Sequence, residues 1–205
     1  DASVIGNGEY GIIEGVGFHT DDPSISPAKV EVLWQDRNDV IDGLTYDEPH
    51  RRVIFHAAGR EGNALIAARD AEDNIIWSWH IWSTDRPEEQ IYVNSTGEYP
   101  MLDRNLGAIA TYGETEEING FVYQWGRKDP IRTDFYFQES NMTSIENAVA
   151  NPTIVYYSQD NHWQQDNNTS LWTKSQKTIY DPCPVGYKVP HRKVWLSFSK
   201  TESYN

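Results

Sequence analysis

The chain has 205 residues and a mass of 23.6 kDa, with 8 Trp, 12 Tyr and 6 Phe. That length gives room for one or two domains and a sizeable core without disulfide staples, and the wealth of aromatic residues excludes full-length disorder. With 31 acidic against 17 basic residues the net charge is −14, which repels a phosphate backbone, so no nucleic acid partner is expected.

The charge is uneven. Residues 1–50 hold eleven acids and two bases, whereas 151–205 hold four acids and six bases. A solvated acidic face explains this simply; two different modules would do so as well. No run approaches 18 apolar residues, so no membrane span is expected. No signal peptide is visible, which reads as a cytosolic chain or a processed mature form. Cys183, the one cysteine, is unable to form an internal disulfide or a four-cysteine zinc site. It is expected to be a buried thiol that behaves as a small apolar residue.

In chain order, residues 1–27 are Gly-rich and end in Asp21-Asp22-Pro23-Ser24-Ile25-Ser26-Pro27, an extended lead-in or linker. Residues 28–85 then read as a β-rich, sandwich-like module. Lys29–Gln35 is a strand with Val30, Val32 and Trp34 on one face. Arg51–His56 and Asn63–Arg69 are further strands, and 70–74 is a tight polar turn. Asn74–Trp82 is the strongest strand: Ile75, Trp77, Trp79 and Ile81 share one face, and Ile76, Ser78, His80 and Trp82 the other. Bulk on both faces predicts a central strand.

Beyond this module, residues 86–205 form an irregular second domain with short periodic stretches. Ser140–Val149 is its best helix, capped by Ser144. Overall the chain is expected to be mainly β, α+β in the broad sense.

Phosphate-loop, His-Glu-x-x-His, Gly-x-Ser-x-Gly and EF-hand patterns are absent from the sequence. Asp160, Asn161, Asp166, Asn167 and Asn168 have the oxygen ligands a calcium ion takes, but a solvated polar loop is the simpler reading; no cofactor is otherwise expected. The six histidines show no ligand spacing, and His80 reads as a hydrogen-bonded core imidazole.

Several segments, in order, resemble a known family. They are Gly62-Asn63-Ala64-Leu65-Ile66-Ala67 with Ile76-Trp77-Ser78-Trp79-His80-Ile81-Trp82, then Met101-Leu102-Asp103-Arg104-Asn105-Leu106-Gly107-Ala108. Tyr123-Gln124-Trp125-Gly126-Arg127-Lys128-Asp129-Pro130 and Asp181-Pro182-Cys183-Pro184-Val185-Gly186-Tyr187-Lys188-Val189-Pro190 complete the set. Over about residues 28–195 they look like the fimbrillin-like surface proteins of Bacteroidetes that carry a Fibrobacter succinogenes major paralogous domain. The resemblance implies a lipid-anchored adhesion protein on the outer face of the outer membrane, the anchor lying outside this chain, with a C-type-lectin-like terminal domain. That fold is shared with formylglycine-generating enzymes, whose chemistry needs two cysteines, so no enzyme activity is expected here. The calcium motif of true C-type lectins is missing. Such a domain runs on past the Cys-Pro-x-Gly segment, so the chain is expected to be a fragment.

The same residues have a plain physical reading. Asp103 and Arg104 suggest an ion pair that pins a loop, and Trp77, Trp79, Trp82 and Trp125 read as core. Function is then expected between the motifs. The favoured function is a non-catalytic adhesion module that binds a glycan or a host-surface protein. Its candidate ligand residues are Tyr156, Tyr157, Asp160, Asn161, Trp163, Gln164, Asp166 and Trp172, because sugars need flat aromatic faces beside amides and carboxylates. Trp163, in a polar context, is expected to be partly open, with Trp172 or Tyr157 as a second wall. The alternative is a structural fimbrial or stalk subunit, joined to other surface-complex subunits through residues 1–27.

Overall fold

A computed structural model describes Ala2–Ser3 and residues 25–132, 137–158, 162–165, 168, 170–173, 175, 177–184 and 186–197. The fold is mainly β, built from several small sheets. In chain order the first eight strands are β1 (Ala2–Ser3), β2 (Lys29–Gln35), β3 (Ile41–Asp47), β4 (Arg52–Ala57), β5 (Gly62–Arg69), β6 (Ile75–Ser83), β7 (Glu89–Asn94) and β8 (Gly97–Leu102). They are followed by α1 (Thr115–Ile118), β9 (Phe137–Glu139), α2 (Ile145–Ala150), β10 (Ile154–Tyr156) and a 3-10 turn at Arg192–Ser197. The expected lead-in, residues 1–27, lies mostly outside the described residues.

One sheet has the order β2-β5-β6, a second β1-β4-β3; β7 and β8 form a hairpin, and β9 pairs with β10 in parallel. The central strand is therefore β5, not the Asn74–Trp82 segment, which forms the edge strand β6. Ala64, Leu65, Ile66, Ala67 and Ala68 of β5 are all buried, as a strand covered on both faces requires. The bulk on both faces of β6 has another cause: later chain packs against it. Lys128 Nζ donates to the Ser78 carbonyl, Ser78 Oγ donates to Asp129 Oδ1, and Trp82 Nε1 donates to the Ala108 carbonyl.

Pairing of β5 with β6 sets Ile66 opposite Trp79 and Ala68 opposite Trp77. These side chains join Val40, Ile41 and Val53 around the second sheet and Ile145, Ala148 and Val149 of α2 in one apolar cluster. Tyr156, Trp163, Leu171, Ile179 and Tyr180 complete it, so the cluster draws on both sides of residue 85. Alternation fails once in β2. A bulge between Val32 and Trp34 places Val32 opposite Ile66 but Trp34 opposite Leu65. An extra residue moves the next side chain to the other face, and Trp34 packs on Phe121 and His80 instead of following Val30 and Val32.

The helix expected at 140–149 is shorter, Ile145–Ala150, with Ser144 as its cap: the side chain accepts from the Asn147 N–H. Its last carbonyls are met by a buried arginine. Arg127 donates to the carbonyls of Ala148, Asn151 and Pro152, supplying partners that a helix end otherwise lacks. Desolvation pushes the Arg127 pKa down. The neighbouring Lys128–Asp129 pair is also buried, at 2.7 Å, and burial pushes the lysine down against the pull of Asp129.

Candidate functional site

The expected 156–172 loop divides into buried and exposed parts. Tyr156 is buried, and its hydroxyl accepts from Asn147 Nδ2. Trp163, expected to be partly open, is 5 % exposed. Its indole N–H donates to the Trp125 carbonyl at 2.6 Å, its carbonyl accepts from the Thr143 N–H, and the Arg127 guanidinium lies 5.8 Å from its ring centre. The polar neighbours misled because they satisfy one another. Gln164 is buried too, donating to the Asn168 carbonyl and accepting from the Asn168 N–H. Trp163 is thus a core residue with its N–H satisfied, and it offers no open stacking face.

Tyr157 is 40 % exposed. Asp160, Asn161 and Asp166, together with Asn167 of the calcium expectation, lie outside the described residues. Among the described residues no cluster of His, Cys, Asp or Glu has the form of a metal site. Trp172 is half-buried and packs not on Trp163 but on Trp125, with ring centres 6.2 Å apart. Trp125, expected in the core, is 45 % exposed: its backbone carbonyl, not its ring, is what the interior uses.

Trp172 also leads to a concave surface. A groove of about 400 Å³ runs between β8 and the C-terminal segment, walled by Met101, Leu102, Phe121, Tyr123, Trp172, Pro182, Tyr187, Pro190 and Trp195, with Arg104, Asn105, Asn119 and Lys188 among its polar residues. This size and make-up, largely apolar with several aromatic rings and a few polar groups, is that of a small-ligand site.

Each wall is pinned. Gly107, with φ +87°, brings the chain so close to Phe121 that a Cβ there would lie 2.2 Å from the ring; this backbone conformation and approach both require glycine. Asp103 and Asp85 flank Arg104, which donates to Asp103 Oδ1 at 2.9 Å and to Asp85 as well. Hydrogen bonding from Arg104 holds the Asp103 carboxyl below its ordinary range. The loop-pinning pair expected from sequence is thus present, with the arginine side chain 5 % exposed.

The opposite wall, formed by Pro182, Cys183 and Tyr187 to Pro190, hangs on Asp181. Its Oδ1 accepts from the Cys183 N–H and Lys177 Nζ, and its Oδ2 from the Val189 N–H. Cys183 is buried, and desolvation pushes its thiol pKa up. The C-terminal turn is clasped by the hairpin: Asn94 Nδ2 donates to the carbonyls of Lys193 and Val194. The 101–108 and 181–190 motifs were expected to be scaffold, with function between them; the groove is instead lined by residues of both, Leu102, Asn105, Pro182 and Tyr187 among them. The missed signal was the proximity of Tyr187 and Trp195 to a pinned turn.

Comparison with family models, with curated proteins and with solved structures gave no match.

Proposed function

We propose that the chain is a non-catalytic binding module that captures a glycan in the groove between β8 and residues 182–195. The carrying observation is the wall of Phe121, Tyr123, Trp172, Tyr187 and Trp195 around a space of about 400 Å³. Flat aromatic faces suit the C–H faces of a sugar ring, and the amides of Asn105 and Asn119 suit its hydroxyls. This reading keeps Trp172 from the sequence-based set and replaces Trp163 by Trp195 as the second indole. In it the 86–205 part is a C-type-lectin-like domain beside a sandwich-like module, and the protein works on the outer face of a bacterial outer membrane as an adhesion component. The family resemblance supports that setting. A glycan array probed with the purified protein tests the reading: selective binding of a related group of glycans is expected, and a blank array overturns it.

A second reading, a structural fimbrial or stalk subunit, draws on β7. Ile91 and Val93 are 57 % and 61 % exposed there, and among the described residues β7 pairs with β8 alone. Exposed apolar residues along such a strand favour assembly. Light scattering after gel filtration distinguishes this reading, which requires association that an Ile91→Lys, Val93→Lys variant loses.

A further inference from the structure

We infer that a hydrogen-bond relay through Asp36, Asn63 and His80 makes Tyr123 an acceptor for the ligand of the groove, so that the ligand must meet it with a hydroxyl or N–H donor. The inference rests on the groove reading above and names the group the groove selects.

The relay starts at a side chain whose orientation is fixed by acceptors. Asn63 is 1 % exposed. Its Nδ2 donates to Asp36 Oδ2 at 2.7 Å and to the Gly107 carbonyl at 2.9 Å, while its backbone N–H donates to Asp36 Oδ1. A flipped amide would set an oxygen against both acceptors, so both amide hydrogens are spent this way. Asn63 Oδ1 is then left to accept, and its partner is His80 Nε2 at 2.9 Å. His80 Nε2 therefore carries a proton. Burial pushes the imidazole down to about 3, so the ring is neutral and its Nδ1 holds a lone pair.

That lone pair faces the Tyr123 hydroxyl at 3.2 Å. Tyr123 has one proton, and His80 Nδ1 takes it in a hydrogen bond. To any further partner Tyr123 offers only oxygen lone pairs. Tyr123 lines the groove beside Phe121, and Phe121 packs edge-on against the His80 ring, with centres 5.7 Å apart, holding the relay in place. Tyr123 is thus a specificity residue whose polarity is set three side chains away. Sites built around a particular hydroxyl discriminate strongly against an analogue that lacks it.

The test has two arms. Long-range proton–nitrogen spectra of histidine-labelled protein, with no ligand added, are expected to show His80 as the Nε2–H tautomer, His80→Gln identifying its signals. An Nδ1–H tautomer overturns the inference outright. In the second arm, neutral methyl glycosides are compared with their monodeoxyfluoro analogues, because fluorine donates nothing. The unaltered protein is expected to bind one fluoro analogue about tenfold more weakly or worse, and Tyr123→Phe to erase that difference. An undiminished preference in Tyr123→Phe overturns the inference. An Nε2–H imidazole in a protein that binds no glycoside confirms the relay and rejects the glycan reading instead.

Discussion

The indole N–H of Trp163 donates to the carbonyl of Trp125, and that single bond sorts the two tryptophans: the donor ring lies in the core while the acceptor's own ring faces outward, 6.2 Å from Trp172. Trp163→Ala therefore removes a buried aromatic and leaves the Trp125 carbonyl without its donor. A loss of about 3–5 kcal/mol is expected, read as a lowered urea midpoint. Trp163→Phe, which keeps the ring contact with Arg127, loses less. The protein that remains folded retains its ligand affinity. A stable Trp163→Ala protein with abolished binding would return Trp163 to the site.

His80 makes stability depend on pH. Its contacts are with Asn63, Tyr123, Trp34 and Phe121, and Asp36 reaches it through Asn63. The folded pKa is pushed from 6.5 down to about 3, so below neutrality the unfolded chain takes up the proton first. The stability contribution is full above about pH 6.5 and is lost as pH falls towards 3. Between pH 7 and 5 the expected loss is about 2 kcal/mol, measured by urea denaturation at both values. His80→Gln flattens that slope. The carboxylates held low by Arg104, Asp85 and Asp103, lose their contribution only at lower pH. An equal slope in His80→Gln would contradict the assignment.

The Tyr180 hydroxyl is buried without a hydrogen-bond partner among the described residues, and burial raises its pKa. Its ring packs on Trp77 at 6.1 Å. Tyr180→Phe keeps the ring and removes the orphaned group, so it is expected to stabilise by about 1 kcal/mol. In a chain of this size that raises Tm by about 2–4 °C. A fall in Tm would mean that the hydroxyl has a partner in solution.

Local pattern made part of this structure legible. The β2 range was read directly, β4, β5 and β6 within a residue or two, and the Ser144 cap from its own chemistry. Strands β3, β7 and β8 were not read. In β3, Asp42 and Gly43 interrupt the apolar alternation, and the β7–β8 hairpin exposes Ile91 and Val93, so no buried face writes a period into it. The order of β5 and β6 is not legible either, because an edge strand packed on both faces carries the same bulk as a central one. The groove depends on contacts distant in sequence, such as Asn94 to Val194 and Gly107 to Phe121. The polar stretch around Trp163 pointed to solvent because its internal hydrogen bonds, Gln164 to Asn168 above all, are written in geometry and not in composition.

The measurement that bears most directly on the proposed site is calorimetric titration of the strongest array glycan into the unaltered protein and into Trp172→Ala and Trp195→Ala. Both indoles wall the groove, and an aromatic anchor at the centre of a binding site is worth about 2 kcal/mol or more. Each variant is expected to bind at least about tenfold more weakly, with the urea midpoint of Trp195→Ala lowered less than that of Trp163→Ala, since the Trp195 side chain is 47 % exposed. Unchanged affinity in both variants would place the ligand elsewhere and contradict the account.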